Sequence, residues 1–344
     1  MSRRPTQRDV AAYAGVSPAV VSCVVSEQTG GNIRISEDTR QRVLNAIKVL
    51  NYVPDLTARS LSTQKSNLIS VVLPDFTDFF STHILKGIQS IVAENDFDLM
   101  VYAVEGDFDR VEKCFNHVIR RQPGGVILLT TVLTDKRIKQ LIASGIQVVI
   151  AGAYQEVEGV DQVSLDMVDG VHQVVEHLGE RGHRRIAFLH NPLTRQQSYS
   201  QKAAYERSIR ILRSVYDIDL IPESICTEKK TGACIASIFE DGSRKDLPTA
   251  LFCENDNLAI EAMGALRKMN LRVPEDVAVA GFGNMPQSEI VSPSLTSLDC
   301  ELEEMGKKAS LFLIERMEAN KIREVRYKVI QGRLIVREST SGKY

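Results

Sequence analysis

The stretch Thr6-Gln7-Arg8-Asp9-Val10-Ala11-Ala12-Tyr13-Ala14-Gly15-Val16-Ser17-Pro18-Ala19-Val20-Val21-Ser22-Cys23-Val24-Val25 decides what the N-terminal part of this chain is. Thr6 and Asp9 are spaced as an N-cap hydroxyl and a carboxylate three residues on, the capping-box pattern that opens a helix. That helix runs to Ala14 and stops at Gly15, because glycine adopts the left-handed backbone of a helix terminus without steric cost. Val16 anchors the turn. Ser17 and Pro18 then restart a helix, with the hydroxyl as N-cap and proline at the first position, where its missing N–H costs nothing. Val20, Val21, Val24 and Val25 supply its apolar stripe. Helix, glycine turn, helix in so short a span is the helix-turn-helix pattern. On the pattern alone, an ordinary corner of two helices is the alternative.

Moving outward, a glycine-containing loop (Thr29 to Asn32) precedes Ser36, which is placed to cap a third helix. Val43, Leu44, Ile47 and Leu50 fall at core-facing spacing. The helix is expected to end in Asn51-Tyr52-Val53-Pro54, since a residue before proline avoids helical geometry. Residues 55–62 could form a short fourth helix, followed by a polar link from Thr63 to Ser66. The expected domains are a headpiece over 1–53, a hinge and linker over 54–66, and a core over 67–344. Charge agrees with this division. Residues 1–65 hold nine Lys/Arg and five acids, a net +4, which leaves −6 for the rest of a chain whose total is −2. A small basic module on an acidic body is expected where one end meets phosphate, although a charge run is commonly just a solvated face.

From Leu68 onward, short β-rich runs alternate with amphipathic stretches. Strands are read at 68–73, 98–103, 126–129, 148–151, 185–189, 249–253 and 277–281. Helices are read at 80–94, 110–121, 135–143, 201–212 and 257–268. Two successive sets of alternating β and α predict two parallel-sheet subdomains, with ligands binding beyond the carboxyl ends of the strands, in the cleft between lobes. The fold class is therefore a small all-α headpiece joined to an α/β core of two lobes. The start of the chain carries no apolar signal region, and the apolar runs are strand-sized, so no membrane span is expected. Six scattered cysteines without a CxxC pair read as reduced thiols of a cytoplasmic protein with no metal site. No cofactor is implied.

The N-terminal motifs resemble the headpiece of LacI/GalR-type repressors. The resemblance rests on Asp9-Val-Ala-Ala-Tyr-Ala-Gly-Val-Ser17, Val21-Ser22, Thr39-Arg40, Asn51-Tyr-Val-Pro54 and Ala58-Arg-Ser-Leu61, interrupted by a loop from Glu27 to Ile35 that is longer than usual. It implies that Pro18, Ala19 and Cys23 face base edges in the major groove, while Thr6, Ser17, Ser22, Ser26 and Thr39 hold phosphates. Tyr52 and Ala58 complete the DNA-binding set. Leu61 matches a hinge leucine that wedges between base pairs in the minor groove. Two departures stand out. Cys23 occupies a position that often carries arginine, and Asp55 stands where the family favours asparagine.

The likeness continues through the core: Leu73-Pro-Asp75, Phe79-Phe80, Gly87-Ile88, Gly182-His-Arg-Arg-Ile-Ala187, Asn255-Asp256, Val273 to Val279, Gly281-Phe282, Pro293 to Ser297 and Val336 to Thr340. Periplasmic sugar-binding proteins share this core without a headpiece. The resemblance places Phe79, Phe80, Arg195, Gln201, Asp256 and Asn284 at the effector cleft. Phe79 and Phe80 would form an apolar platform. Gln201 replaces a ligand-binding arginine, Gly283 replaces a carboxylate, and Gly152 replaces a further acid. Arg195 is either a ligand contact or an exposed surface arginine, and Asp256 either a contact or a cap for the following helix. Bidentate sugar recognition needs the lost Arg and Asp, so the cleft is expected to take something else, a protein co-regulator, or nothing.

The sequence carries no catalytic constellation. Gly281-Phe-Gly283 lacks a third glycine. His172 and His177 lie five apart, off a common helical face. Glu301, Glu303 and Glu304 read as the polar face of a closing helix. A transport solute-binding protein would need an export signal and no basic headpiece. What remains is a DNA-binding transcriptional regulator, a repressor acting as a homodimer on double-stranded operator DNA, with a small-molecule effector or co-regulator left open. No heptad tail follows Thr340 to build a tetramer.

Overall fold

A computed structural model describes residues 5–25, 35–53, 66–104, 108–129, 134–152, 157–190, 195–217, 219–220, 224–225, 231–240, 247–319 and 324–342. Ser26, Ala58, Leu61 and the fourth helix expected over 55–62 lie outside them. The chain divides into two compact units, Met1–Ser66 and Asn67–Tyr344.

The first unit contains α1 (Gln7–Ala14), α2 (Pro18–Val25) and α3 (Glu37–Leu50). The capping box forms as its spacing dictates: the Asp9 amide donates to Thr6 Oγ1 and the Thr6 amide to Asp9 Oδ2 at 2.7 Å. Gly15 sits at φ 65°, and its N–H closes the last turn of α1. Val10, Ala11, Ala14, Val21, Val24, Val43 and Ala46 form the core. One expectation is corrected: Leu44 is 41% exposed and Ala46 is buried beside Val43. The stripe that meets the core runs through Val43, Ala46, Ile47 and Leu50, at i, i+3, i+4 and i+7, and Leu44 lies on its flank. The helix ends where expected, at Asn51, which is left-handed at φ 49° and whose N–H bonds back to the Ile47 and Lys48 carbonyls.

The second unit begins with β1 (Leu68–Leu73), α4 (Phe79–Glu94), β2 (Asp98–Ala103), α5 (Phe108–Arg121), β3 (Gly125–Leu128), α6 (Asp135–Ala143), β4 (Gln147–Gly152) and β5 (Asp161–Leu165). It continues with α7 (Met167–Glu180), β6 (Arg185–His190), α8 (Arg195–Tyr216), β7 (Asp219–Leu220), β8 (Ser224–Ile225), α9 (Thr231–Glu240), β9 (Ala250–Cys253), α10 (Asp256–Lys268), β10 (Ala278–Phe282), α11 (Pro286–Ile290) and β11 (Thr296–Asp299). α12 (Leu302–Glu318), β12 (Tyr327–Ile330) and β13 (Arg333–Ile335) close it. The first sheet runs β12-β5-β4-β3-β1-β2, all parallel. The second runs β13-β11-β10-β9-β6-β7, with β8 also on β6, and only β13 antiparallel. The central strands, buried on both faces, are nearly continuous apolar runs such as Leu68–Leu73 and Ala250–Cys253, whereas the edge strand β12 is largely exposed.

The chain crosses between lobes three times: from β5 to α7, from β11 to α12, and from β12 to β13. The Asp166 amide donates to the Ile330 carbonyl at 2.8 Å, tying the first crossing to the third. In the first lobe, α12 lies on α4 at contact distance. A Cβ on Gly87 would come within 2.0 Å of the Glu303 carbonyl oxygen, and one on Gly306 within 2.0 Å of that of Ile84. No single helix among the described residues is long and apolar enough to cross a membrane. The expectation of six reduced thiols is corrected at Cys234, which is disulfide-bonded, whereas Cys23, Cys114, Cys253 and Cys300 are free.

Candidate nucleic-acid interface and inter-lobe cleft

Burial of Val21 and Val24 against α1 and α3 leaves one face of α2 outward. Pro18, Ala19 and Ser22 are exposed there and Cys23 is half-buried, so the predicted base-facing residues and one predicted phosphate contact share a surface. Ser17 precedes them, and its Oγ accepts from the Val20 amide at 3.4 Å, as an N-cap does. Thr6 and Thr39 stand at the starts of their helices. Thr39 Oγ1 lies 2.9 Å from Ser36 Oγ and accepts from Arg42. Tyr52 is half-buried beside the headpiece core.

Two residues that sequence reading did not single out set the orientation of α2 and α1. Gln7 Nε2 donates to the Pro18 carbonyl at 2.8 Å, fixing the start of the recognition helix on α1. Arg42 Nη1 donates to the Ala14 carbonyl at 3.2 Å, placing a cation at the α1 C-terminus where the helix dipole favours it. Both bonds join residues distant in sequence, so no local pattern announces them.

The cleft is built from the carboxyl ends of β1 and β10. Asp78 caps α4, accepting from the Ser81 amide at 2.8 Å, and so sets Phe79 and Phe80 in the first turn of that helix. Their rings stand edge to face, 5.9 Å apart, and Phe79 also lies 4.0 Å from His83. Across the cleft, Phe80 stacks on Phe282 at 6.4 Å. Phe282 continues into Phe252 at 6.5 Å, Phe252 into Phe188 at 5.1 Å, and Phe188 into Tyr205 at 5.1 Å. The phenol of Tyr205 donates to the Ile186 carbonyl, and burial pushes its pKa up.

Asp256 is fully buried. Its Oδ2 accepts from the Met285 amide and Ser288 Oγ, both at 2.7 Å, and its Oδ1 from Ser297 Oγ at 2.6 Å. Burial raises its pKa, and these hydrogen bonds oppose the rise. The cap of α10 belongs to Asn255, whose Oδ1 accepts from the Leu258 amide, and not to Asp256. Asn284, left-handed at φ 51°, donates to Asp299 Oδ2 at 3.1 Å and accepts from Arg337 at 2.8 Å. Asp299 in turn accepts from the Glu301 amide at the second crossing. Both polar groups are thus bound into the second lobe. Arg195 and Gln201 fall on the first two turns of α8, which starts six residues before the position read from sequence; their side chains lie outside the description.

Away from the cleft, a buried histidine ties the C-terminal segment to the second lobe. His177 Nε2 meets Thr340 Oγ1 at 2.8 Å, and burial, with Arg181 nearby, lowers its pKa to about 4. Among the described residues, no group of three or more His, Cys, Asp or Glu could hold a metal ion.

Comparison with known proteins agrees with both units. The profile of bacterial regulatory proteins of the lacI family matches residues 6–55, and that of the periplasmic binding protein-like domain matches residues 175–340. The HTH-type transcriptional regulator CelR of Thermobifida fusca is 29% identical, over 98% of this chain and 98% of its own. Catabolite control protein A of Priestia megaterium is 27% identical, over 90% and 91%. The crystal structure of the lac repressor dimer bound to operator and the anti-inducer ONPF superposes with a TM-score of 0.84 at 23% identity, covering 98% of this chain and 99% of that one. The headpiece with its exposed α2 face, the two-lobed core and these likenesses along the whole chain make it a member of the LacI family of bacterial regulatory proteins, a DNA-binding transcriptional regulator with an effector-binding-type core.

Proposed function

We propose that this regulator is a cytoplasmic, non-enzymatic repressor that binds an inverted-repeat operator as a homodimer. The observation that carries this reading is the outward face of α2, where Pro18, Ala19, Ser22 and Cys23 stand together on a helix whose start is pinned by Gln7. Two-fold symmetry pairs two such helices with two half-sites one helical turn or a multiple apart. The face lacks bidentate donors: proline offers none, alanine offers a methyl for thymine, and a thiol donates weakly. Specificity then leans on apolar contacts and duplex shape, with Thr6, Ser17, Ser22, Ser26 and Thr39 on phosphates and Tyr52, Ala58 and the Leu61 wedge completing the grip. Gel shifts over a panel of palindromic duplexes test this. A preferred palindrome with affinity falling steeply in salt supports it; equal affinity for all sequences removes it.

The core reads a small molecule or a co-regulator at the cleft beside Phe79 and Phe80, with Arg195 and Gln201 as candidate contacts, while the buried Asp256 and the Asn284 bonded to Asp299 and Arg337 support its wall. Free hexoses are excluded from tight binding, because Asp256 and Asn284 are committed to lobe two and Gly283 presents no carboxylate. Micromolar binding of a free hexose by calorimetry would overturn that exclusion.

A further inference from the structure

Gly283 faces the aromatic pair directly. A Cβ at this position would lie 3.3 Å from Phe80 Cζ and 3.6 Å from Phe79 Cε1. Its backbone is held at φ 124°, a conformation that side-chain-bearing residues rarely adopt, and its amide donates to the Leu298 carbonyl at 2.8 Å. The two rings from the first lobe therefore rest on bare backbone of the second. There is no room between them for a stacked ligand, which needs van der Waals spacing on both of its faces. Beside this contact, Phe80 continues the row of rings that runs through Phe282, Phe252 and Phe188 into the interior of lobe two. Phe79 and Phe80 are half-buried and join a single apolar cluster holding residues of both sheets, from Ile69 and Val71 to Phe252 and Phe282.

We infer that Phe79 and Phe80 are a built-in plug: they close the two lobes on Gly283 and Phe282 without a ligand, so that a cleft effector acts by displacing them. This rests on the regulatory reading above but makes a separate claim about the resting state. The apolar contact buried between lobes supplies the closing force that a bound molecule would otherwise provide. The glycine at 283 and the aromatic pair are then two halves of one device, since a Cβ at 283 would already press on Phe80 and a longer side chain would take the space of the rings. A ligand entering the cleft must bind more strongly than the rings it expels, and its apparent affinity is reduced by the fraction of molecules left open.

The test uses the full chain, spin-labelled at Thr77 and Gln287, exposed positions on opposite rims of the cleft. Without ligand, the unsubstituted cleft should give one narrow inter-label distance. Phe79→Ala/Phe80→Ala should give a longer and broader distribution. Gly283→Leu, whose side chain reaches into the space the rings hold, should open the cleft in the otherwise unsubstituted chain and add nothing in the double-alanine background. Gly283→Ala, with the same backbone strain but a methyl that moves Phe80 by only a few tenths of an ångström, should leave the distance close to that of the unsubstituted chain. The pair separates loss of the plug from backbone strain. Circular dichroism establishes that each variant is folded, and Phe79→Leu/Phe80→Leu, which keeps apolar volume but loses ring stacking, should open the cleft partway. A ligand-free cleft already as broad as the double-alanine variant overturns the plug, as does a double-alanine variant with an unchanged narrow distance. Operator binding is measured in parallel. Its absence defeats the repressor reading and leaves the distances to judge the plug alone.

Discussion

Thr6 is a small residue with two duties, and the first can be measured apart from DNA. Its Oγ1 accepts from the Asp9 amide while its own amide is taken by Asp9. Thr6→Ala removes one half of the box and lowers local stability by about 1 kcal/mol. This should appear as roughly fivefold faster hydrogen exchange of the α1 amides in the full chain; unchanged exchange would show that the cap contributes nothing. Asp256 is the contrasting case at this scale. A carboxylate with three partners and no exposure orders the 282–288 turn. Asp256→Ala leaves Ser288, Ser297 and the Met285 amide without their acceptor, at a cost of about 1–3 kcal/mol for a buried unsatisfied group. Urea unfolding of the core should show the loss, and a midpoint unchanged from the native chain would contradict the assignment.

At the scale of elements, the crossing of α4 over α12 depends on two glycines meeting opposed carbonyls. Gly306→Ala would drive a methyl into the Ile84 oxygen, which is backbone and cannot swing aside. The helices must separate, and the expected destabilisation is about 1–3 kcal/mol, the range of overpacked cores. A variant as stable as the native chain in denaturant titration would mean that the crossing has slack. The headpiece shows how far element-level reading reaches. The caps of α1, α2 and α3 were legible because each is a contact within three or four residues. Leu44 is exposed because it lies on the flank of the stripe Val43, Ala46, Ile47 and Leu50, and its apolar side chain reads as core only if the small Ala46 is passed over.

For the whole molecule, pH offers a test that sums several elements. His177 and His183 are buried, and burial, with nearby cations, holds both near pKa 4, below the ordinary 6.5. A histidine whose folded pKa is depressed takes up a proton on unfolding, so stability is present above pH 6.5 and is lost as pH falls toward 4. Each contributes on the order of 3 kcal/mol across the whole window, of which about 2 kcal/mol is lost by pH 5. The urea midpoint of the core should therefore fall between pH 7.5 and pH 5, and His177→Gln should flatten part of the slope. A pH-independent midpoint would refute this. His177 also meets Thr340, so the same measurement reports on how the C-terminal segment is held.

What the sequence determined by itself is whatever depends on near neighbours or on a repeated pattern. That covers the helix-turn-helix, its caps, the outward set Pro18, Ala19, Ser22 and Cys23, and the alternation of strands and helices that makes two parallel-sheet lobes. Each follows from backbone sterics, hydrogen-bond closure within a few residues, and apolar periodicity. Long-range packing is what commits Asp256 and Asn284 to lobe two, lets Gln7 pin α2, returns β12 to the first sheet after α12, and brings Phe79 and Phe80 onto Gly283. Those outcomes join residues from 11 to more than 200 positions apart. Whether a polar group in such a cleft is free or already satisfied depends on which distant partners reach it, and that is set by packing the lobes together and by no local preference of the chain.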